Sequence, residues 1–83
     1  MKNDPKSLVS IREYGHIKVK LADMMHARKI TRNKLSTLIG VKYDVIDRYY
    51  KAENIVMVDL DLFAKICCVL ECKIQDILEY ETV

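Results

Sequence analysis

Apolar positions recur three and four apart along most of this 83-residue chain, the spacing that lays one face of an α-helix against a core. Leu21, Met24 and Met25 set that spacing for a first helix over residues 18–27, with Lys20 and Asp23 turned to water. Leu35, Ser36 and Ile39 set it for a second over 33–39, and Ile46, Tyr49 and Tyr50 for a third over 43–51. Leu60, Phe63, Ile66, Cys67 and Leu70 mark a buried stripe on a fourth over 60–70, and a short fifth is expected over 74–78. Two stretches alternate instead. Within 8–14, Val9 and Ile11 oppose Ser10 and Arg12; near the end, Leu78, Tyr80 and Thr82 oppose Glu79 and Glu81. A lone short strand is not stable. These stretches therefore predict a small terminal β-pairing of residues 8–14 with 78–82, within one subunit or between two. Residues 17–21 also alternate, so strand character can run into the start of the first helix.

Punctuation residues divide these elements. Thr31 caps the second helix through its hydroxyl, worth about 1 kcal/mol, and Gly40 ends it, since glycine takes the left-handed conformation at no Cβ cost. Ile30 plugs the gap before it, and Arg28 and Lys29 suit the negative end of the first helix. Asp59 caps the fourth helix, after a loop over 52–58. The first 16 residues read as an N-terminal extension, polar up to Ser7 and holding the sole proline, Pro5; residues 17–83 read as one domain.

Residues 33–51 combine into a specific unit. Two short helices joined by a glycine turn form a helix-turn-helix, whose second helix can lie in the major groove of DNA. Because the helices cross steeply, the first must present something small, and Ser36 does so; a bulky side chain would overpack the crossing. Ile46 anchors the second helix inward, leaving Lys42, Tyr43, Asp44, Asp47, Arg48 and Lys51 outward. An αα-hairpin that merely packs is the plainer reading, and the agreement of small, glycine and apolar positions favours the DNA-reading one.

Charge changes the picture. The net +2 conceals +5 over residues 28–51, seven basic against two acidic side chains, and −5 over 52–83. The positive charge thus falls on the segment that pattern alone selects. With 51% hydrophobic and 31% charged residues, the chain is globular rather than disordered. A chain this long buries roughly 60% of its extended surface. Its longest apolar run, 66–70, is far short of a membrane span, and no signal-peptide pattern follows Met1. Three cysteines, Cys67, Cys68 and Cys72, suit a reducing cytoplasm better than a disulfide framework. Cys68 and Cys72 would share a helix face only if the helix ran on through Glu71. Neither His16 nor His26 stands at metal-motif spacing from them, and no catalytic motif is present. The composition calls for no cofactor and no metal.

The segments KLADMMHARKITRNKLSTLIGVKYDVIDRYYK and DLDLFAKICCVLECKIQDILEY resemble the Cro/phage-repressor, or xenobiotic-response-element, type of helix-turn-helix domain, in particular a small bacterial branch with a DILEY-type tail. The likeness covers about four-fifths of the chain. It implies an all-α, compact five-helix repressor-like bundle, a homodimer as the usual DNA-bound form, and transcriptional regulation. Glu71 departs from the family, which often has Gly or Asn there, so the turn at the end of the fourth helix needs a strained or rearranged residue.

The candidate DNA-binding residues follow from the two helices. Arg48 is the first choice for a base contact, because its fork matches guanine O6 and N7 at about 1–3 kcal/mol of discrimination; holding a phosphate is its other role. Lys42 and Tyr43 stand where recognition helices meet base edges. Thr31 opens a helix N-terminus whose free amides can grip a phosphate. Arg32, Asn33 and Lys34 are placed for the backbone, with Lys51 at the rim. Asp44 and Asp47 either accept from a cytosine amine or orient Arg48 and Lys51 across i,i+4 spacings, and the second role is favoured. Tyr49 reads as core, and Tyr50 as cover for the fourth helix or the loop before it. The expected function is a repressor binding double-stranded DNA. The rival readings are a protein partner's binding module of the antitoxin kind and a cysteine-based redox regulator.

Overall fold

The computed structural model describes residues 13–83. Four helices and a two-stranded sheet follow one another as β1 (His16–Val19), α1 (Leu21–Arg28), α2 (Arg32–Ile39), α3 (Tyr43–Lys51), α4 (Leu60–Leu70), a single 3₁₀ turn (Ile74–Asp76) and β2 (Leu78–Glu81). Local signals set the middle of this order. Thr31 Oγ1 accepts from the Lys34 amide at 3.1 Å, Gly40 takes φ +89° after α2, and Asp59 Oδ1 accepts from the Leu62 amide at 3.1 Å.

The helical periodicities converge on one core. Leu21, Met25, Leu35, Ile46, Phe63, Ile66, Leu70 and Ile77 are fully buried, and Tyr49 meets Phe63 edge to face at 5.0 Å. Ile30 packs against this core half-buried. Leu60 does not join it. It is 74% exposed, because the buried stripe of α4 starts at Leu62 and Phe63, on the other side of the first turn.

Both ends depart from the pattern-based expectation. The fifth helix is absent: residues 74–76 form one 3₁₀ turn, closed by the Lys73 amide on Asp76 Oδ2 at 2.8 Å, and the chain then extends. β2 pairs with β1, and residues 8–12 of the strand expected over 8–14 lie outside the described residues. The pairing is antiparallel, His16 with Glu81, Ile17 with Tyr80, Lys18 with Glu79 and Val19 with Leu78. It delays α1 to Leu21, since the Lys20 amide donates to the Ile77 carbonyl at 2.8 Å instead of entering a helix. Gly15 lets the strands close: a Cβ there would stand 1.8 Å from the Glu81 carbonyl oxygen, and its own amide donates to Tyr80 Oη at 2.9 Å.

Candidate nucleic-acid interface

The α2–α3 unit has a crossing with no room and no unsatisfied polar group. Ser36 is buried there, and its hydroxyl donates to the Asn33 carbonyl at 2.8 Å. The Ser36 carbonyl accepts from the Gly40 and Val41 amides at 2.8 and 3.0 Å, which closes the turn. From that turn α3 leaves with Ile46 and Tyr49 facing in. Asp44, Arg48 and Lys51 are exposed on the opposite side, and Lys42 and Tyr43 are exposed at the start of the helix.

Thr31, Asn33 and Lys34 are exposed at the start of α2. Arg32 is not free in the same way. Its guanidinium pairs with Asp47 at 2.6 Å, lies 4.3 Å from the Tyr50 ring centroid and 5.8 Å from that of Tyr43. It therefore straps the N-terminus of α2 to the middle of α3. Tyr50 serves this strap while half-buried against the core, and its hydroxyl also meets His26 Nε2 at 2.8 Å.

The acidic residues divide. Asp47 holds Lys51 at 3.1 Å as its i,i+4 spacing predicts, and Arg32 besides. The Lys51 hydrogen bond above all, with Arg32 adding to it, lowers the Asp47 carboxyl from its ordinary value, against the opposing effect of desolvation. Among the described residues Asp44 makes no ion pair, and Arg48 does not reach it. Arg48 instead donates to Tyr49 Oη at 3.2 Å, its guanidinium 4.8 Å from that ring. The aromatic neighbour offers an acceptor oxygen and a π face in place of a second charge. Asp47, half-buried at the flank of α3, is thus neutralised from two sides, while Lys34, Lys42 and Arg48 have no acidic partner among the described residues.

Sequence reasoning missed two supporting residues. Arg28 serves α4 rather than its own helix: Nε donates to the Leu70 carbonyl at 2.6 Å and a terminal nitrogen to the Glu71 carbonyl at 3.0 Å. It satisfies helix-end acceptors where Glu71 holds the left-handed φ of +52°. His26 backs Tyr50. Neither contact leaves a local signal, because each partner lies more than twenty residues away.

The cysteines do not form the pair considered above. α4 ends at Leu70, and the Cys72 amide donates back to the Cys67 carbonyl at 3.1 Å, so Cys67 and Cys72 are neighbours and Cys68 is exposed. Desolvation, then the adjacent Cys67, pushes the Cys72 thiol up to about 11, leaving it protonated and unreactive at neutral pH. Among the described residues no cluster of three or more metal-ligating side chains occurs, and no helix is long and apolar enough to cross a membrane.

Two helices locked by a glycine turn, the second buried on one side and charged on the other, define the helix-turn-helix class of DNA-binding folds. Residues 20–82 match the model of the Cro/C1-type HTH DNA-binding domain, and the chain belongs to that family. Its fold is similar to that of a Bacteroides fragilis protein provisionally assigned as DNA-binding, with a TM-score of 0.69 and 14% identity over 77% of this chain and 100% of that one. It is also similar to the transcriptional regulator VanUg, with a TM-score of 0.65 and 24% identity over 90% of this chain and 97% of that one. At these identities the likeness is one of fold. No curated protein sequence matches the chain.

Proposed function

We propose that this domain is a non-enzymatic, sequence-specific regulator of transcription, a repressor that occupies a (pseudo)palindromic operator in the cytoplasm as a homodimer. The exposed face of α3 carries the reading. Lys42 and Tyr43 stand at its start and Arg48 in its second turn, with Lys34 exposed on α2. A nine-residue helix is about 13 Å long and presents few base contacts, too few for tight binding by one copy. Two copies with readers about 34–36 Å apart would meet half-sites one turn apart. In this scheme Arg48, Lys42 and Tyr43 meet bases, and Lys34, Asn33 and the amides behind Thr31 hold phosphates. Lys51 and Asp44 stand at the rim. Arg32 and Asp47 position the reader more than they touch DNA.

Selection of bound fragments from a random duplex pool, followed by binding across a salt series, tests the proposal. The expected result is a two-fold symmetric site, with affinity that falls steeply with salt and depends on sequence. Recovery of no site, with equal weak binding to every duplex, would refute it.

A further inference from the structure

The loop after α3 and the small sheet build a surface that the DNA reading does not use. On the sheet's apolar face Val19 and Leu78 pack toward the core, while the outer pair, Ile17 and Tyr80, is 56% and 57% exposed. Opposite runs the segment 55–58. Ile55 and Val58 turn inward, and Val56 and Met57 project, 91% and 78% exposed. Between sheet and loop lies an apolar groove of about 280 Å³.

Ile17, Tyr80, Val56 and Met57, each more than half exposed, together leave a few hundred Å² of apolar surface open, the size of the largest patch on an ordinary monomer and about half of what each partner buries in a standard protein interface. The same patch holds both a recess and the side chains to fill one. A two-fold interface requires that, because identical surfaces must complement each other. The acidic character of the C-terminal half does not stand in the way. Glu79, on the groove wall, is 3.3 Å from Lys20, and Glu81 is 2.9 Å from His16 and 3.9 Å from Lys18. The chain from Asp47 to Val56 spans at most about 23 Å, so an axis at the loop permits reader spacings up to about 46 Å, which includes one turn of DNA.

We propose that this groove is the interface between two copies of the chain, with Val56 and Met57 of each copy seated against Ile17 and Tyr80 of the other. The assignment rests on the dimeric reading above and gives it a location.

Sedimentation of the full chain over a concentration series, alone and on the selected two-half-site duplex, tests it alongside Met57→Lys and Val56→Asp. Both positions are exposed, so the variants should keep the wild-type helical circular dichroism. The wild type should dimerise, with a melting temperature that rises with concentration. Each variant should be monomeric and lose about 10²-fold in affinity for the two-half-site duplex, with single half-site binding unchanged. A wild type that stays monomeric alone and on DNA, or variants that dimerise like it, would overturn the interface. A dimer that Met57→Lys dissociates, in a chain that binds no duplex, would uphold the interface and end the DNA reading. Monomers that read one half-site each would do the reverse.

Discussion

The α3 helix and the loop that follows it are neighbours in sequence and expose opposite chemistry. α3 buries Ile46 and Tyr49 and shows water Lys42, Asp44, Arg48 and Lys51; the loop buries less and shows water Val56 and Met57. Charge on a surface helix is ordinary, because solvation costs nothing there. Two large aliphatic side chains projecting from a loop beside an open apolar groove are not ordinary. The difference teaches where to look for each kind of partner: a polyanion on the helix, an apolar surface on the loop.

The largest effect should separate the two regions by stability. Ile46→Ala removes a fully buried side chain that joins α3 to the core, at a cost of about 2–5 kcal/mol. Denaturant midpoints measure it. Met57→Ala, on a side chain exposed in the single chain, should stay within about 0.5 kcal/mol of wild type at concentrations low enough to keep both monomeric. Equal losses at the two positions would mean that the loop is as structural as the helix.

Within the charged region the effects should divide again. Arg48→Ala should cost about 1–3 kcal/mol on the selected site and relax preference at one base pair. Lys34→Ala should weaken every sequence alike and lower the salt slope by about 1. Binding to the selected duplex and its single-base variants checks both. If both substitutions lowered affinity equally on all of them, the division between base and phosphate contacts would be wrong.

Helix ends sharpen the comparison at about 1 kcal/mol. Gly40 and Glu71 both hold left-handed φ, +89° and +52°, but only Gly40 has the residue for it. Gly40→Ala should lose about 1 kcal/mol and Glu71→Gly should gain a comparable amount. Open space around Gly40 makes its loss a matter of backbone strain rather than collision. Thermal melts of the two variants should therefore move in opposite directions.

These contrasts also show how far the chain could be read before its structure. α3 and α4 have the bounds that periodicity and caps predict, and α2 begins one residue early, because Thr31, Gly40 and Asp59 act on backbone within a few residues of themselves. The sheet was not legible in that way. HIKV fits a helix start as well as a strand, and what decides it is β2, sixty residues on, together with the space that only Gly15 leaves. The fifth helix failed for the same reason: Ile77 is claimed by the core and Leu78–Glu81 by β1, which leaves too few residues for a helix. At the interface, spacing alone revealed Asp47 with Lys51. Arg32, fifteen residues from Asp47, required the crossing of α2 on α3 to become visible. The groove left no trace in any periodicity, since Val56 and Met57 lie in a loop.

The strap itself supplies the smallest effect and the finest discrimination. Asp47 carries a carboxyl lowered from 3.8 by Lys51 and Arg32, so the unfolded chain takes up its proton more readily than the folded one. The strap's contribution to stability is complete above the ordinary aspartate value and is lost as pH falls through the lower folded value. Asp47→Asn should remove that acid-limb difference, read as melting temperatures of variant and wild type that converge as pH falls below the ordinary aspartate range. The same variant frees Arg32 at neutral pH. If Arg32 positions α3, as its stacking on Tyr50 indicates, specific binding should fall while binding to unrelated duplexes changes little. If Arg32 is instead a phosphate ligand restrained by Asp47, its release together with the loss of a negative charge should strengthen binding to every duplex. A uniform gain would return Arg32 to the DNA-contacting set and leave the loop untouched, since nothing in the groove depends on that pair.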